Sequence, residues 1–189
     1  MIGAMREAPP TPSDTATATA TATTTTAAFI SRWQGVTASE LSTAQSFVIE
    51  LCDLLGVPRP HATAEQTYMF ERPVTFRHGD GSTSAGRIDC YRRGAFVLES
   101  KKLKPGTRAS GEAPPQSFDA ALLRARSQAE NYARALPPAE GRPPFVVVVD
   151  VGHVIELYAE FTRSGASYTP FPDPQIGRAS CRERVLASV

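Results

Sequence analysis

The chain has 189 residues, and 20 Lys and Arg face 19 Asp and Glu for a formal net charge of +1. That balance argues against tight, unaided binding to nucleic acid, because non-specific affinity comes from neutralising phosphates. No stretch approaches the roughly 20 apolar residues of a membrane span. Three cysteines, Cys52, Cys90 and Cys181, form no even framework and no Cys-x-x-Cys pair, so a reduced, cytoplasmic setting is expected.

Residues 1–28, with a Thr/Ala repeat from Thr15 to Ala28, are low in complexity and poor in large apolar groups. They are expected to stay disordered, as a leader or as sequence read from too early a start. They lack the charged and apolar regions of a signal peptide. One folded domain is expected over 29–174, long enough to bury a sizeable core.

The first helix is predicted over residues 40–55, where Leu41, Ala44, Phe47, Val48, Leu51, Cys52 and Leu55 recur at helical spacing. Ser39 would cap it, Gly56 and Pro58 would close it, and Glu50 falls at the flank of the apolar stripe. Strands follow at Tyr68–Phe76 and Ser84–Tyr91, separated by the turn sequence His78-Gly79-Asp80-Gly81, then a third from Ala95 to about Lys102 after Arg92-Arg93-Gly94. A second helix spans Phe118 to Leu136 between two proline pairs, with Phe118, Ala121, Leu122, Ala125, Ala129, Tyr132, Ala133 and Leu136 on its apolar face. Phe145–Val151 is a near-continuous β-branched run suited to a strand buried on both faces, and His153–Phe161 adds another. The order α-β-β-β-α-β describes an α/β domain with a central sheet flanked by helices.

Asp89 and the triplet Glu99-Ser100-Lys101 carry the chemistry. Across a tight hairpin, antiparallel pairing brings Asp89 toward Glu99, and strand alternation puts Glu99 and Lys101 on one face. Two carboxylates and a lysine suit a hard divalent ion, Mg²⁺ or Mn²⁺, held by Asp89 and Glu99. Lys101 would orient an activated water for phosphodiester hydrolysis. As a bare pattern, Asp-x9-Glu-x-Lys equally describes a solvated hairpin face with an ion pair worth under about 1 kcal/mol. Arg87, Lys102 and Lys104 lie in a basic run around the motif and are candidates for the DNA backbone, although such runs are usually solvated faces. His61, His78 and His153 have no metal-ligand spacing, and His153 is expected in a turn.

The element order and these residues resemble the core of the PD-(D/E)xK nuclease superfamily, whose metal and catalytic positions would fall on Asp89, Glu99 and Lys101. Gln128-Ala129-Glu130-Asn131-Tyr132 is similar to the Gln-x3-Tyr element of RecB-like members, which puts Gln128 and Tyr132 on one side of the second helix as supporting residues. Read without that resemblance, Tyr132 belongs to the core and Gln128 to the helix edge. Glu50 is a further candidate ligand from the first helix. The strings Phe29-Ile30-Ser31-Arg32-Trp33, Glu50-Leu51-Cys52-Asp53-Leu54-Leu55-Gly56-Val57-Pro58, Phe70-Glu71-Arg72-Pro73-Val74, Gly81-Ser82-Thr83-Ser84-Ala85-Gly86-Arg87-Ile88-Asp89 and Val149-Asp150-Val151-Gly152-His153 narrow this further. They resemble the N-terminal region of type IIL restriction-modification enzymes, the MmeI-like family, over about Phe29 to Pro174.

The resemblance implies a nuclease, a helical connector, an adenine-N6 DNA methyltransferase and a target-recognition domain in one parent polypeptide acting on double-stranded DNA, with self-association on DNA open to it. Only the first part is expected here. No Asn-Pro-Pro-Tyr or Asp-Pro-Pro-Tyr tetrapeptide is present, nor a glycine-rich turn for S-adenosylmethionine, so that cofactor belongs to the rest of the parent. Residues 176–185 resemble a translated sequencing adapter, and 175–189 are expected to be a non-native tail without persistent structure. Without residues 176–189, which hold three arginines and one glutamate, the formal charge moves from +1 to −1. Two other readings share these features: a catalytically silent domain that positions DNA for a methyltransferase, and a RecB-like repair nuclease.

Overall fold

The computed structural model describes residues 26–34, 36, 40–101, 116–172 and 178–180. Three helices, α1 (26–33), α2 (Glu40–Leu55) and α3 (Gln116–Ala135), accompany seven strands. The strands are β1 (Tyr68–Arg77), β2 (Thr83–Arg92), β3 (Phe96–Lys101), β4 (Phe145–Asp150), β5 (Val154–Ala159), β6 (Thr169–Pro170) and β7 (Arg178–Ser180). They form one mixed sheet in the order β1-β2-β3-β4-β5-β6, with β7 also on β5. Every element expected between residues 40 and 161 is present, with ends within two residues of those expected. Among the described residues, no helix is long and apolar enough to cross a membrane.

The sheet is antiparallel except at its centre, where β3 and β4 run parallel and α3 lies in the connection between them. Parallel neighbours need such a crossover, and both faces of their strands become buried. On β4, Val146 and Val148 face the cluster under α3, whereas Val149 faces the cluster under α2. On β3, Val97 faces α3 and Leu98 faces α2. α3 meets this surface with Leu122, Ala125, Ala129 and Ala133, mostly small side chains that let the helix sit close to the valines. Each fully buried Val or Leu contributes about 1.5–3 kcal/mol of transfer free energy, which makes β3 and β4 the main attachment for both layers.

Two described segments lie at the ends of the expected domain. Residues 26–28, expected to belong to the low-complexity leader, form the first turn of α1. Phe29 and Trp33 of α1 pack on Phe47, with ring centroids 5.4 and 5.3 Å apart. This anchors a helix whose first turn, Thr26-Ala27-Ala28, is exposed and needs no core of its own. At the other end, Arg178–Ser180 pair with Glu156, Ile155 and Val154 as β7, inside the segment expected to lack structure. The open edge of β5 offers backbone groups to any extended segment, so such pairing demands little of the side chains.

The first two strands contain an irregularity that the periodicity does not reveal. Tyr68 and Phe70 of β1 belong to the α2 side, but Val74 and Phe76 belong to the α3 side. β2 changes face as well: Ile88 points under α3 and Cys90 under α2, followed by Tyr91 under α3. In a regular strand residues i and i+2 share a face, so each strand is shifted by one position. The shift falls at Glu71, whose φ is +54°, and at Asp89, between the pairs Phe70↔Cys90 and Arg72↔Ile88. A short 3₁₀ turn, Pro138–Glu140, braces this region. Glu140 accepts hydrogen bonds from Arg72 Nη2 at 2.8 Å and the Tyr91 hydroxyl at 2.6 Å. Burial, reinforced by Glu140, pushes the Tyr91 phenol well above its ordinary pKa, so it remains a donor.

Beyond the shift, β1 and β2 continue as a hairpin that α3 covers through Tyr132. The Tyr132 ring stacks on Phe76 with centroids 5.6 Å apart. Gly86 leaves room for both: a Cβ there would lie 2.7 Å from Tyr132 Cε1 and 2.8 Å from Phe76 Cε2. Gly86→Ala is therefore expected to destabilise the domain by about 1–3 kcal/mol through overpacking. In a Tyr132→Ala background the same substitution should cost much less, and urea denaturation of the four proteins in this cycle measures the difference.

Candidate functional site

Asp89 lies at the face shift, where its strand leaves the regular ladder on both sides. The β2–β3 pairing ends at Cys90↔Leu98, one position short of Asp89 and Glu99, which would stand opposite each other in the same register. In place of the next backbone bond, the Asp89 side chain reaches across to β3. Its Oδ2 accepts from the Ser100 backbone N–H at 2.7 Å and from Ser100 Oγ at 2.6 Å. Bonds to an ionised acceptor are short and about twice as strong as neutral ones. Asp89 is thus fixed to the residue between Glu99 and Lys101.

Glu99 is 1% exposed, with Oε2 closed off from solvent. Lys101 Nζ lies 2.7 Å from its Oε1, as alternation along β3 predicts for residues two apart. A buried carboxylate needs such a partner, because desolvation of an isolated charge costs far more than a surface pair gains. β4 lays Asp150, also 1% exposed, beside Lys101 in the parallel register. His153 closes the β4–β5 turn, its N–H donating to the Asp150 carbonyl at 2.9 Å, with its Nδ1 3.9 Å from Asp150 Oδ2. One end of the central sheet therefore gathers Asp89, Glu99, Lys101 and Asp150 from three adjacent strands. Among the described residues, no group of three or more His, Cys, Asp or Glu side chains is disposed to hold a metal ion.

The supporting residues lie in other surroundings. Glu50 gives both oxygens to α1, accepting from Trp33 Nε1 at 3.0 Å and pairing with Arg32 Nη2 at 2.8 Å. It joins α1 to α2, the contact that periodicity alone could not anticipate because α1 was not expected as an ordered helix. Gln128 and Tyr132 do meet, Gln128 Nε2 donating to the Tyr132 hydroxyl at 3.0 Å. Together they line a groove between α3 and the β1–β2 hairpin, with Gly86 and Phe76 on the facing wall. Tyr132 is 7% exposed and part of the core, the plainer of the two readings of this pair. Arg87 is exposed and lies 3.8 Å from Glu71. Lys102 and Lys104 fall outside the described residues.

A family model described as MmeI, N-terminal domain, matches residues 20–177. The chain belongs to this family. No curated protein and no solved structure matches it. The match spans the whole described sheet up to β6, so the corner formed by Asp89, Glu99 and Lys101 lies in the MmeI N-terminal domain itself. Sequence reasoning passed over two parts of that corner. Ser100 alternates to the strand face opposite Glu99 and Lys101, and its hydroxyl is a donor that the triplet alone does not assign to Asp89. Asp150, an acid ending a run of four valines, was a visible signal of a buried charge at a strand end.

The bond between Asp89 and Ser100 has a structural role separable from any chemistry. Asp89→Ala leaves a buried N–H and hydroxyl without their acceptor and is expected to lower stability by about 1–3 kcal/mol. Asp89→Asn keeps an amide oxygen in place and should lose only about half as much. Urea midpoints of the two variants check this order, and equal stability of Asp89→Ala and the parent chain would contradict it.

Proposed function

We propose that this MmeI N-terminal domain is the Mg²⁺-dependent endonuclease module of a bifunctional restriction-modification enzyme, with a PD-(D/E)xK core that hydrolyses phosphodiesters of double-stranded DNA. The observation that carries the reading is the pair of hydrogen bonds from Ser100 to Asp89, which ties one acid to the strand bearing Glu99 and Lys101. Family membership supplies the restriction-modification context. The adenine-N6 methyltransferase, its S-adenosylmethionine and the target-recognition domain belong to the remainder of that enzyme.

The donor set fits a hard divalent cation. Asp89 and Glu99 offer only carboxylate oxygens, and Mg²⁺ takes one or two of these while keeping water and phosphate oxygens in its other positions. When bound there, the ion stabilises negative charge on the reacting phosphate and acidifies a water. Ser100 holds the Asp89 carboxylate in a single orientation, so little reorganisation is needed. Lys101, held 2.7 Å from Glu99 Oε1, would supply positive charge to stabilise the developing anion. Asp150 stands beside Lys101 in the parallel register of β3 and β4.

The alternative of a DNA-positioning domain that does not cut has one observation in its favour: Ser100 and Lys101 already engage the Asp89 and Glu99 carboxylates. Cleavage by the full-length enzyme separates the two readings. Lys101→Ala should reduce Mg²⁺-dependent cutting of target DNA by roughly 10²–10³-fold, the scale of losing one aimed donor of positive charge. Methylation by the same preparation should be unchanged. Undiminished cutting would move the active site elsewhere, and a parent enzyme that methylates but never cuts would favour the silent domain.

A further inference from the structure

The groove between α3 and the β1–β2 hairpin has a volume of about 1140 Å³ and an unusual charge pattern. Five arginines line it, Arg72 and Arg77 from β1, Arg124 and Arg134 from α3, and Arg142 from the segment before β4. No Asp or Glu is among its described lining residues. In a chain with 20 basic and 19 acidic residues, a concave surface with this composition is not an average sample of the whole.

The five arginines are not equivalent. Arg72 is neutralised by Glu140 at 2.8 Å and Arg134 by Glu130 at 2.9 Å. Arg142 donates to the Leu136 carbonyl at 2.7 Å and so keeps its net charge in the groove. Arg77 and Arg124 are exposed, and the side chain of neither bonds to or pairs with another described residue. They stand on opposite walls, one on the hairpin and one on α3. Between them lie groups that both donate and accept hydrogen bonds: Ser84, Ser127, Gln128 and Asn131.

We propose that this groove binds the sugar-phosphate backbone of a nucleic acid, as a surface separate from the Asp89–Glu99 corner. Guanidiniums recognise phosphate oxygens, and neutral hydroxyls and amides complete contacts to phosphate and sugar without reading sequence. The volume exceeds what one phosphate fills, and charge on two facing walls suits a polyanion passing between them. Gly86 lies on this wall, three residues before Asp89 on β2. At about 3.3 Å per residue that is a distance of roughly 10 Å, so a strand held in the groove extends within a few nucleotides of the acidic corner. The choice of a nucleic acid over another polyanion rests on the endonuclease reading, whereas the basic groove does not.

The test is fluorescence anisotropy of a labelled duplex of about 20 base pairs, with the intact chain in metal-free buffer at several salt concentrations. No cutting enters the measurement, so failure of the groove and failure of the active-site assignment read out separately. For Arg77→Ala/Arg124→Ala, loss of two phosphate contacts should reduce the slope of log affinity against log salt by about 1.8. Between about 50 and 200 mM salt, the parent chain should accordingly lose roughly tenfold more affinity than this variant. Arg77→Lys/Arg124→Lys should retain the parent slope, and Arg59→Ala, on the opposite face of the domain, should do so as well. An unchanged slope in the double alanine variant would overturn the proposal. Binding to anionic phosphatidylserine vesicles with no binding to the duplex would also overturn it.

Discussion

The hydrogen bonds from Ser100 to Asp89 Oδ2 connect the irregularity of the sheet to its chemistry. In a regular hairpin the backbone groups of facing strands satisfy one another and side chains have no part in the ladder. Here β1 and β2 both change face at Glu71 and Asp89, so the Ser100 N–H on β3 would lose its partner without the carboxylate. An acid in this position solves a backbone problem, since a buried N–H left unpaired costs free energy comparable to a lost hydrogen bond. The same bonds fix the acid to the residue that separates Glu99 from Lys101 on β3. A hydrophobic replacement would have to leave that donor orphaned.

The face shift also explains why one hairpin serves both sides of the domain. The β1–β2 segment near Tyr68 and Cys90 packs with α2, and the segment near Val74 and Ile88 packs with α3. A straight two-sided hairpin could not present large apolar groups to α2 at one end and to α3 at the other without the one-residue slip. Glu140, wedged against Arg72 and Tyr91, holds the shifted strands in place from the end of α3. The Gly86 wall and the acidic corner are consequences of the same shift, since Gly86 faces Tyr132 only on the α3 side of it.

Much of the fold was legible because the signals were local. The valine run of β4, the alanine-rich stripe of α3 and the glycine turns at Gly81 and Gly94, both with positive φ, follow from periodicity and turn chemistry. α1 escaped notice because its stability comes from Phe29 and Trp33 packing on Phe47, a contact across the loop that no window of sequence contains. The slip at Glu71 was invisible for the same reason: alternation in β1 is weak, and which face is buried depends on two different helices. Of the candidate site, Glu99 with Lys101 was readable from strand alternation. The role of Glu50 was not, because its partners Arg32 and Trp33 lie on the helix that went unseen. Gln128 and Tyr132 point the same way, as helical spacing requires, but toward the hairpin groove.

The proposal at the centre of this account is that Asp89 and Glu99 together hold one divalent cation. Calorimetric titration of the chain with Mn²⁺ measures it without reference to cutting or to the rest of the enzyme. The account predicts a binding site in the parent chain that disappears in Asp89→Asn and in Glu99→Gln and survives in Glu50→Gln, whose oxygens belong to α1. Undiminished Mn²⁺ binding by both Asp89→Asn and Glu99→Gln would contradict it.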